Sequence, residues 1–266
     1  MERIKNDLKK AVYENKQARR NRLEIGTKFN FLLNINGWRL GKVHVLLGTT
    51  SSGKSTLMRS IISDVIENNN IPKVSCFLSE ETSEDYKLEL YQGFKNLDFE
   101  SRVDFYSEQD ASSESARVQL LEQAFESDSK ILIYDNLTTS SIYGEDFQKQ
   151  STFITNLKRA AIKTNKALIL VAHTNNVHRN GRELIDSGHV RGSKTVANIA
   201  EFFFVNHQIS VDTNIYNFIQ IEKHRGQEPE SKLFRLDYAK GKRLYVTDRA
   251  QSFSDFKELW KMRDKL

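Results

Sequence analysis

Two hydrophobic patterns divide the chain. Between positions 43 and 172, short continuous apolar runs alternate with segments whose apolar residues recur every three or four positions. Such runs predict fully buried strands, and the longer spacing predicts amphipathic helices. The predicted strands are Val43–Leu47, Val74–Leu78, Val103–Tyr106, Ile131–Tyr134 and Ala167–Ala172, and the predicted helices are Thr56–Asn68, Glu84–Leu97, Ser112–Phe125 and Phe147–Thr164. This alternation is typical of an α/β fold with a mostly parallel central sheet and helices on both faces.

The second pattern begins after Glu201, where strand-like runs follow one another without helices between them. The predicted strands are Phe202–Asn206, Ile215–Glu222, Lys232–Asp237 and Arg243–Val246, with Gly226 and Gly241 in the intervening turns. Close spacing with glycine turns predicts antiparallel strands added to one edge of the sheet. The last segment, 252–266, places Phe253, Phe256, Leu259 and Trp260 on one side and is predicted to be an amphipathic helix.

The first 24 residues are mostly charged, and Ile4, Leu8 and Val12 recur at helical spacing. They predict a helix with a thin apolar stripe. Two interpretations stay open, namely a solvated and partly frayed terminal helix and an arm that docks on another subunit. The predicted organisation is therefore a helical arm (1–24), an α/β domain (25–250) and a C-terminal amphipathic helix (251–266).

Composition narrows the class of protein. The chain has 266 residues, of which 38% are hydrophobic and 28% charged, with a net charge of +5 and one cysteine, Cys76. No apolar run approaches the ~18 residues of a membrane helix, so no membrane association is expected. The N-terminus lacks the apolar stretch of a signal peptide. A single cysteine excludes an intrachain disulfide and a cysteine-based zinc site, which favours a reducing, cytoplasmic location.

The strongest chemical signal is a glycine-rich segment between the first predicted strand and its helix. Gly48-Thr49-Thr50-Ser51-Ser52-Gly53-Lys54-Ser55 matches G-x-x-x-x-G-K-[ST] in full. Glycines allow backbone N–H groups to turn toward phosphate oxygens, and the following helix N-terminus favours negative charge. The segment predicts an ATP site formed by these residues and Thr56, with Lys54 on the β- and γ-phosphates and Ser55 on Mg²⁺.

Four polar residues, which follow three other predicted strands, could complete this site. Asp135 ends the strand at 131–134, where it could hold Mg²⁺ or only cap the strand end. Glu80 and Glu81 follow Leu78; either could polarise the attacking water, and either could instead belong to the start of the next helix. His173 follows Ala172 and could contact the γ-phosphate or be a structural histidine. Lys54, Glu80, Asp135 and His173 are thus the candidate catalytic residues of this chain.

A long polar loop follows His173. It contains Arg179, Arg182, Arg191, Gly192, Ser193 and Lys194. Cations and glycine amides suit a phosphodiester backbone without base reading, so the loop predicts binding to a nucleic-acid backbone, although a solvated mobile loop is the alternative. Further on, Lys223-His224-Arg225 closes a strand at a hairpin. Its cations could bind a γ-phosphate, with Arg225 acting across a subunit boundary. Alternatively, they are ordinary surface charges.

In this order the motifs resemble the RecA-like motor of hexameric replicative DNA helicases, of the DnaB type and of phage primase–helicases. The matching blocks are Gly26-Thr27-Lys28-Phe29 through Asn36-Gly37-Trp38-Arg39-Leu40-Gly41, the phosphate loop, Leu78-Ser79-Glu80-Glu81-Thr82, Ile133-Tyr134-Asp135, Val171-Ala172-His173, Arg191-Gly192-Ser193 with Ile199 and Glu201, and Lys223-His224-Arg225. They cover about residues 25–246. No primase or DnaB-like N-terminal domain is expected before the motor, so the bare motors of RepA-type plasmid helicases are also candidates.

The resemblance implies an ATP- and Mg²⁺-dependent helicase that assembles as a ring, most simply a hexamer. It places the catalytic glutamate on Glu80 and the trans-acting finger on Arg225, with Lys223 beside the nucleotide. A phage origin and a replisome primase or DNA polymerase as partner are further implications. The alternative is a RecA-, RadA- or KaiC-like ATP-switched protein that binds or loads on single-stranded DNA without unwinding it.

Overall fold

The structure is a computed structural model that describes residues 22–23, 28–35, 37–67, 73–93, 99–144, 146–175, 185–192, 194–224 and 232–262. Its strands are β1 (Arg22–Leu23), β2 (Trp38–Arg39), β3 (Val43–Gly48), β4 (Val74–Leu78), β5 (Val103–Ser107), β6 (Ile131–Asp135), β7 (Ala167–His173), β8 (Phe202–Val211), β9 (Asn214–His224), β10 (Lys232–Ala239) and β11 (Leu244–Gln251). Its α-helices are α1 (Asn30–Asn34), α2 (Lys54–Glu67), α3 (Ser83–Gly93), α4 (Glu114–Glu126), α5 (Phe147–Thr164), α6 (Thr195–Ile199) and α7 (Phe253–Met262).

Nine of these strands form one sheet in the order β11-β10-β9-β8-β3-β7-β6-β4-β5. The six strands from β8 to β5 run parallel, and β9, β10 and β11 continue the sheet antiparallel from β8. The predicted mostly parallel sheet with antiparallel strands at one edge is confirmed. β8 joins the two halves because it is parallel to β3 on one side and antiparallel to β9 on the other.

Each face of the parallel half carries its own core because successive strand residues point to opposite faces. On β3, Leu46 belongs to the core that includes residues of α2 and α3. Val45 and Leu47 belong to the opposite core, which includes residues of α4 and α5. Both faces are therefore covered, which explains why the predicted strands are continuous apolar runs rather than alternating ones.

Several element bounds differ from the sequence-based predictions. Helix α3 is described over Ser83–Gly93, so it begins one residue before the predicted start, and the rest of the predicted helix, 94–97, lies outside the described residues. Helix α2 begins at Lys54 rather than Thr56. β8 continues to Val211, beyond the predicted end at Asn206, with alternating exposure over its last residues. Helices α1 and α6 were not predicted, since five residues each are too few to show a helical period.

The structure describes little of the predicted N-terminal arm and most of the predicted C-terminal helix. Arg22–Leu23, the last part of the predicted arm, pairs antiparallel with Trp38–Arg39 and is not helical; residues 1–21 and 24 lie outside the described residues. The predicted C-terminal helix forms as α7, where Phe256 packs edge-on against Phe218 of β9. Across the described ranges, no helix combines the length and apolarity needed to cross a membrane.

Candidate nucleotide-binding site

The strand order brings the predicted site residues to one edge of the sheet. Gly48, which starts the glycine-rich loop, lies beside His173 of β7. Asp135 ends β6, the next strand, and pairs with Leu78 of β4, two residues before Glu80. The carboxyl ends of parallel strands form the ligand-binding edge of open α/β sheets. Four segments that are far apart in sequence therefore meet at this edge.

The glycine-rich loop is held close to its neighbours. The backbone of Gly53 has a φ of +89°, which favours glycine, and a Cβ there would lie 2.5 Å from the hydroxyl of Tyr245. A Cβ on Gly48 would lie 2.6 Å from Ser52 Oγ and 2.9 Å from the backbone oxygen of Asn206. Helix α2 begins at Lys54, so its free N–H groups face the loop, as phosphate binding requires.

Lys54 connects the loop to the end of β7. Its side chain is buried, and Nζ donates to the backbone oxygens of Thr49 at 2.7 Å and Gly48 at 3.2 Å. Nζ also lies 3.0 Å from His173 Nδ1. Burial lowers the pKa of Lys54 to about 8, although the carboxylates of Asp135 and Glu80 oppose this shift. The ammonium group is therefore costly to bury without an anion, which favours a phosphate beside it.

His173 continues this chain of contacts to Glu80. Because the Lys54 ammonium can only donate, His173 Nδ1 accepts, and Nε2 carries the hydrogen. Nε2 lies 3.3 Å from Glu80 Oε1. This hydrogen bond, with further contributions from Thr139 and Lys54, lowers the pKa of Glu80 despite partial burial. Glu80 is thus held as a carboxylate at the mouth of the site.

The two neighbouring glutamates have different surroundings. Glu81 Oε2 lies 3.8 Å from Arg59 Nη1, and burial raises the pKa of its carboxyl. Neither glutamate caps the following helix, because the hydroxyl of Thr82 accepts from the N–H of Asp85 at 3.1 Å and fills that role. Glu80 faces the phosphate loop, whereas Glu81 turns toward α2.

Asp135 and Ser55 lie together at the start of α2. Asp135 is buried; burial raises the pKa of its carboxyl, and the hydrogen bond from Ser55 and the charge of Lys54 oppose the rise. A carboxylate and a hydroxyl are oxygen donors of the kind that Mg²⁺ prefers. No cluster of three or more metal-binding side chains occurs in the part of the chain that the structure describes. This donor set fits Mg²⁺, which usually takes its other ligands from phosphates and water.

These elements enclose a cleft of about 270 Å³. Its lining residues are Thr50, Ser51, Gly53, Lys54, Ser55, Thr56, Glu80, Asn136 and His173. A cleft that combines loop amides, a lysine, a hydroxyl and a carboxylate suits a polyphosphate with a bound cation.

Comparison with known proteins identifies the fold. No protein-family model and no curated protein matches the chain. Among solved structures, the chain is similar to a KaiC-like protein from the hyperthermophilic archaeon Pyrococcus horikoshii OT3, with 15% identity, a TM-score of 0.59, and 82% of this chain and 92% of that chain covered. The chain has a RecA-like fold. At this level of identity, the similarity concerns the fold and not the activity.

The antiparallel half of the RecA-like domain adds residues that the sequence did not reveal. Asn206 of β8 is fully buried, and its Nδ2 donates to the backbone oxygen of Ser52 at 2.7 Å. Tyr245 of β11 packs its hydroxyl against Gly53 and its ring edge-on against Tyr238. Since Asn206 and Tyr245 lie more than 150 residues after the loop, no local pattern connects them with it.

The turn after β6 also depends on side chains that sequence reasoning passed over. Asn136 Oδ1 accepts from the N–H and the hydroxyl of Thr138. Thr138 Oγ1 in turn accepts from the N–H of His173 at 3.1 Å. The conformation of this turn is therefore coupled to the position of His173 through the hydroxyl of Thr138.

We expect Asn206→Ala to weaken nucleotide binding. A typical hydrogen bond contributes ~0.5–1.5 kcal/mol, so the dissociation constant should rise about 2- to 12-fold through the misplaced Ser52 peptide. Calorimetric titration with an ATP analogue measures this. Asn217→Ala, a second buried asparagine of the antiparallel half, is the matched control and should bind as the wild type does. Equal losses in both variants would assign the effect to general destabilisation.

The predicted DNA-binding residues lie only partly within the described ranges. Arg191 and Gly192 follow Val190, which forms a bridge with Thr174 directly after β7, and Lys194 precedes α6. The N–H of Arg191 donates to the backbone oxygen of His173 at 3.0 Å. Arg179, Arg182 and Ser193 fall outside the described residues, and so does Arg225. The backbone of Lys223 lies near the end of β9.

Proposed function

We propose that this chain is a Mg²⁺-dependent ATP hydrolase that forms a ring and moves along single-stranded DNA as a replicative helicase. The observation that carries the hydrolase part is the series of contacts from Lys54 through His173 to Glu80 beside the phosphate loop. It joins a phosphate-binding cation to a carboxylate that could act as a base. The same proposal includes a cytoplasmic location and a replisome primase or DNA polymerase as a partner.

In the proposed reaction, each residue has a separate task. The loop amides and Lys54 bind the phosphates and offset the charge that develops on the γ-phosphoryl group. Ser55 and Asp135 would hold Mg²⁺, which would neutralise phosphate charge. Glu80 orients a water molecule toward phosphorus and accepts its proton, and the hydrogen bond from His173 keeps Glu80 ionised and in place until then.

Two features support the DNA part of the proposal. The backbone oxygen of His173 accepts from the N–H of Arg191, and the N–H of His173 donates to Thr138. A movement of His173 when the γ-phosphate departs could therefore shift both segments. Between these segments lies a groove of about 650 Å³, lined by Thr138, Thr139, Ser140, Ser141, Tyr143, Gly144, Phe147, Gln150, Arg191 and Gly192. An exposed aromatic ring, a cation and several hydroxyls suit a strand whose bases stack and whose phosphates are bound.

The strand register supports a role for Arg225 across a subunit boundary. His224, the residue before it, pairs with Phe202 at the amino end of β8, and Phe202 lies beside His44 of β3. The phosphate loop follows the carboxyl end of β3. At ~3.3 Å per residue, the four residues from His44 to Gly48 span about 13 Å. The backbone of His224 and the start of the phosphate loop are therefore about this far apart along the strand direction. The described end of β9 thus lies at the sheet edge opposite this chain's own phosphate loop, which supports a finger that acts on a neighbour's nucleotide.

A second candidate function is favoured by the similarity to a KaiC-like protein, since that protein shares the fold over most of both chains. This candidate is a RecA- or KaiC-like ATP-switched protein that binds single-stranded DNA without unwinding it. Native mass measurement with an ATP analogue and DNA, together with a forked-duplex assay, separates the two. A closed ring that unwinds forks in an ATP-dependent manner supports the helicase. Unimpaired DNA binding and hydrolysis without unwinding support the alternative.

Neutralising Arg179, Arg182, Arg191 and Lys194 to alanine should weaken single-stranded DNA binding and reduce its salt dependence. For every phosphate of the single strand that is no longer neutralised, the slope of log K against log salt should fall by ~0.7. Fluorescence anisotropy over a salt series gives the slope. Alanine at Lys240, Lys242 and Arg243, between β10 and β11, and at Lys257 of α7 is the charge-matched control. If the two variants change the slope equally, the DNA site lies elsewhere.

A further inference from the structure

A small gap lies directly behind the Ser55–Asp135 pair. Its volume is about 10 Å³, close to the space that one water molecule needs. The residues around it are Ser55, Leu78, Glu80, Glu81, Tyr86 and Asp135. Five of these six side chains are polar, so a water molecule would find hydrogen-bond partners there.

Tyr86 is the residue that marks this gap as a built site. The tyrosine is 1% exposed, and its hydroxyl has no hydrogen-bond partner among the residues that the structure describes. Its ring is fixed between the guanidinium group of Arg59, 5.4 Å from the ring centroid, and the ring of Phe105 at 5.8 Å. A buried hydroxyl without a partner is costly, and phenylalanine would fill the same volume without that cost. The hydroxyl therefore indicates a ligand in the gap.

Glu81 presents a second atom of this kind. Its Oε2 is buried and makes no hydrogen bond within the described part of the chain, because Arg59 Nη1 at 3.8 Å is too distant. The nearby guanidinium group fixes the carboxylate electrostatically and leaves this oxygen able to accept. Two residues that each carry an unpaired acceptor oxygen, Tyr86 and Glu81, thus border a gap that the candidate metal ligands Ser55 and Asp135 also line.

We propose that Tyr86 and Glu81 bind one water molecule of the Mg²⁺ hydration shell. A water molecule on a divalent cation directs its two hydrogens outward, and these two atoms could accept them. The inference rests on the proposed Mg²⁺ site at Ser55 and Asp135 and gives it an outer layer of protein contacts. It also divides the work of the neighbouring glutamates, with Glu80 on the attacking water and Glu81 as a positioning residue for the metal.

The test measures metal affinity rather than turnover. Mn²⁺ replaces Mg²⁺, and the free ion is followed by electron paramagnetic resonance in the presence of a non-hydrolysable ATP analogue. Tyr86→Phe removes only the hydroxyl, and Glu81→Gln removes the charge and replaces one acceptor oxygen with an NH₂ group. Removing a residue that supports the metal's own ligands typically weakens metal binding by ~10-fold or more, so both variants should bind Mn²⁺ about 10-fold more weakly. Their affinity for the analogue without metal should be unchanged. Tyr91→Phe, on the same helix and 54% exposed, is the control and should match the wild type.

The outcomes separate this inference from the function on which it rests. If the wild type binds no Mn²⁺ with the analogue, the proposed Mg²⁺ site itself is wrong. If the wild type binds Mn²⁺ and Tyr86→Phe and Glu81→Gln bind it equally well, the outer water contact is wrong and the metal site stands. The melting temperature of metal-free Tyr86→Phe should equal or exceed that of the wild type. A lower value would show that the hydroxyl has a structural partner, which would also overturn the inference.

Discussion

Glu80→Gln is expected to retain nucleotide binding and to lose ATP hydrolysis. Glutamine has nearly the same shape and can still accept a hydrogen bond from His173 Nε2, but its amide cannot take a proton from water. General-base groups contribute ~10²–10⁴-fold to rates, so kcat should fall by that factor while the dissociation constant of an ATP analogue changes little. Phosphate release under saturating ATP, beside an equilibrium titration, measures the two quantities.

Glu81→Gln is the matched control because it changes the same chemical group one position along the chain. At saturating Mg²⁺, its kcat should stay within about tenfold of the wild type, since Glu81 faces Arg59 and not the phosphate loop. A large loss in Glu81→Gln with near-normal turnover in Glu80→Gln would move the base to Glu81. The contacts of His173 would then have only a structural meaning.

Lys54→Ala is expected to remove measurable turnover while the protein stays folded. The ammonium group is the cation that the fold buries within the phosphate loop. Loss of one such charge-stabilising donor costs about 10²–10³-fold in kcat, and weaker ATP binding lowers the rate further. The steady-state rate reports the first effect and calorimetry the second.

The Lys54→Ala variant is expected to stay folded for a separate physical reason. Burial of the Lys54 ammonium costs free energy, as its lowered pKa shows, so the alanine variant should melt within a few degrees of the wild type. Lys42→Ala, an exposed lysine at the opposite end of β3, should turn over ATP normally. Near-wild-type hydrolysis by Lys54→Ala would contradict the nucleotide assignment.

The parts of the fold that the sequence predicted are those with a local signal. The strands around Val45, Cys76 and Leu170 are continuous apolar runs. Lys54 lies in a motif with a fixed spacing, because the backbone of a phosphate-binding loop requires that spacing. Because parallel strands end at one edge, the residues after these runs could be placed together before any contact was known. Asp135 and His173 were placed beside the loop in this way.

The remaining features depend on contacts between distant segments. The sequence shows that strands follow Glu201, but not that β8 lies beside β3, and only that pairing brings Asn206 under the loop. Tyr245 reaches Gly53 after three more strands have been added. Gly93 of α3 likewise lies against Leu244 of β11, a contact between distant segments that helix propensity does not predict.

Gly48 has a consequence for how this chain can diverge. The backbone oxygen of Asn206 would lie 2.9 Å from any Cβ placed at position 48, so the neighbouring strand excludes larger residues whether or not a phosphate is bound. Selection for stability alone would then preserve this glycine in descendants that had given up nucleotide hydrolysis. In a library randomised over the loop and selected for folding, position 48 should return almost only glycine, while Lys54 becomes free to vary. Among relatives of this chain, a retained Gly48 would report an intact β3–β8 pairing, and only a retained Lys54 would report an active site.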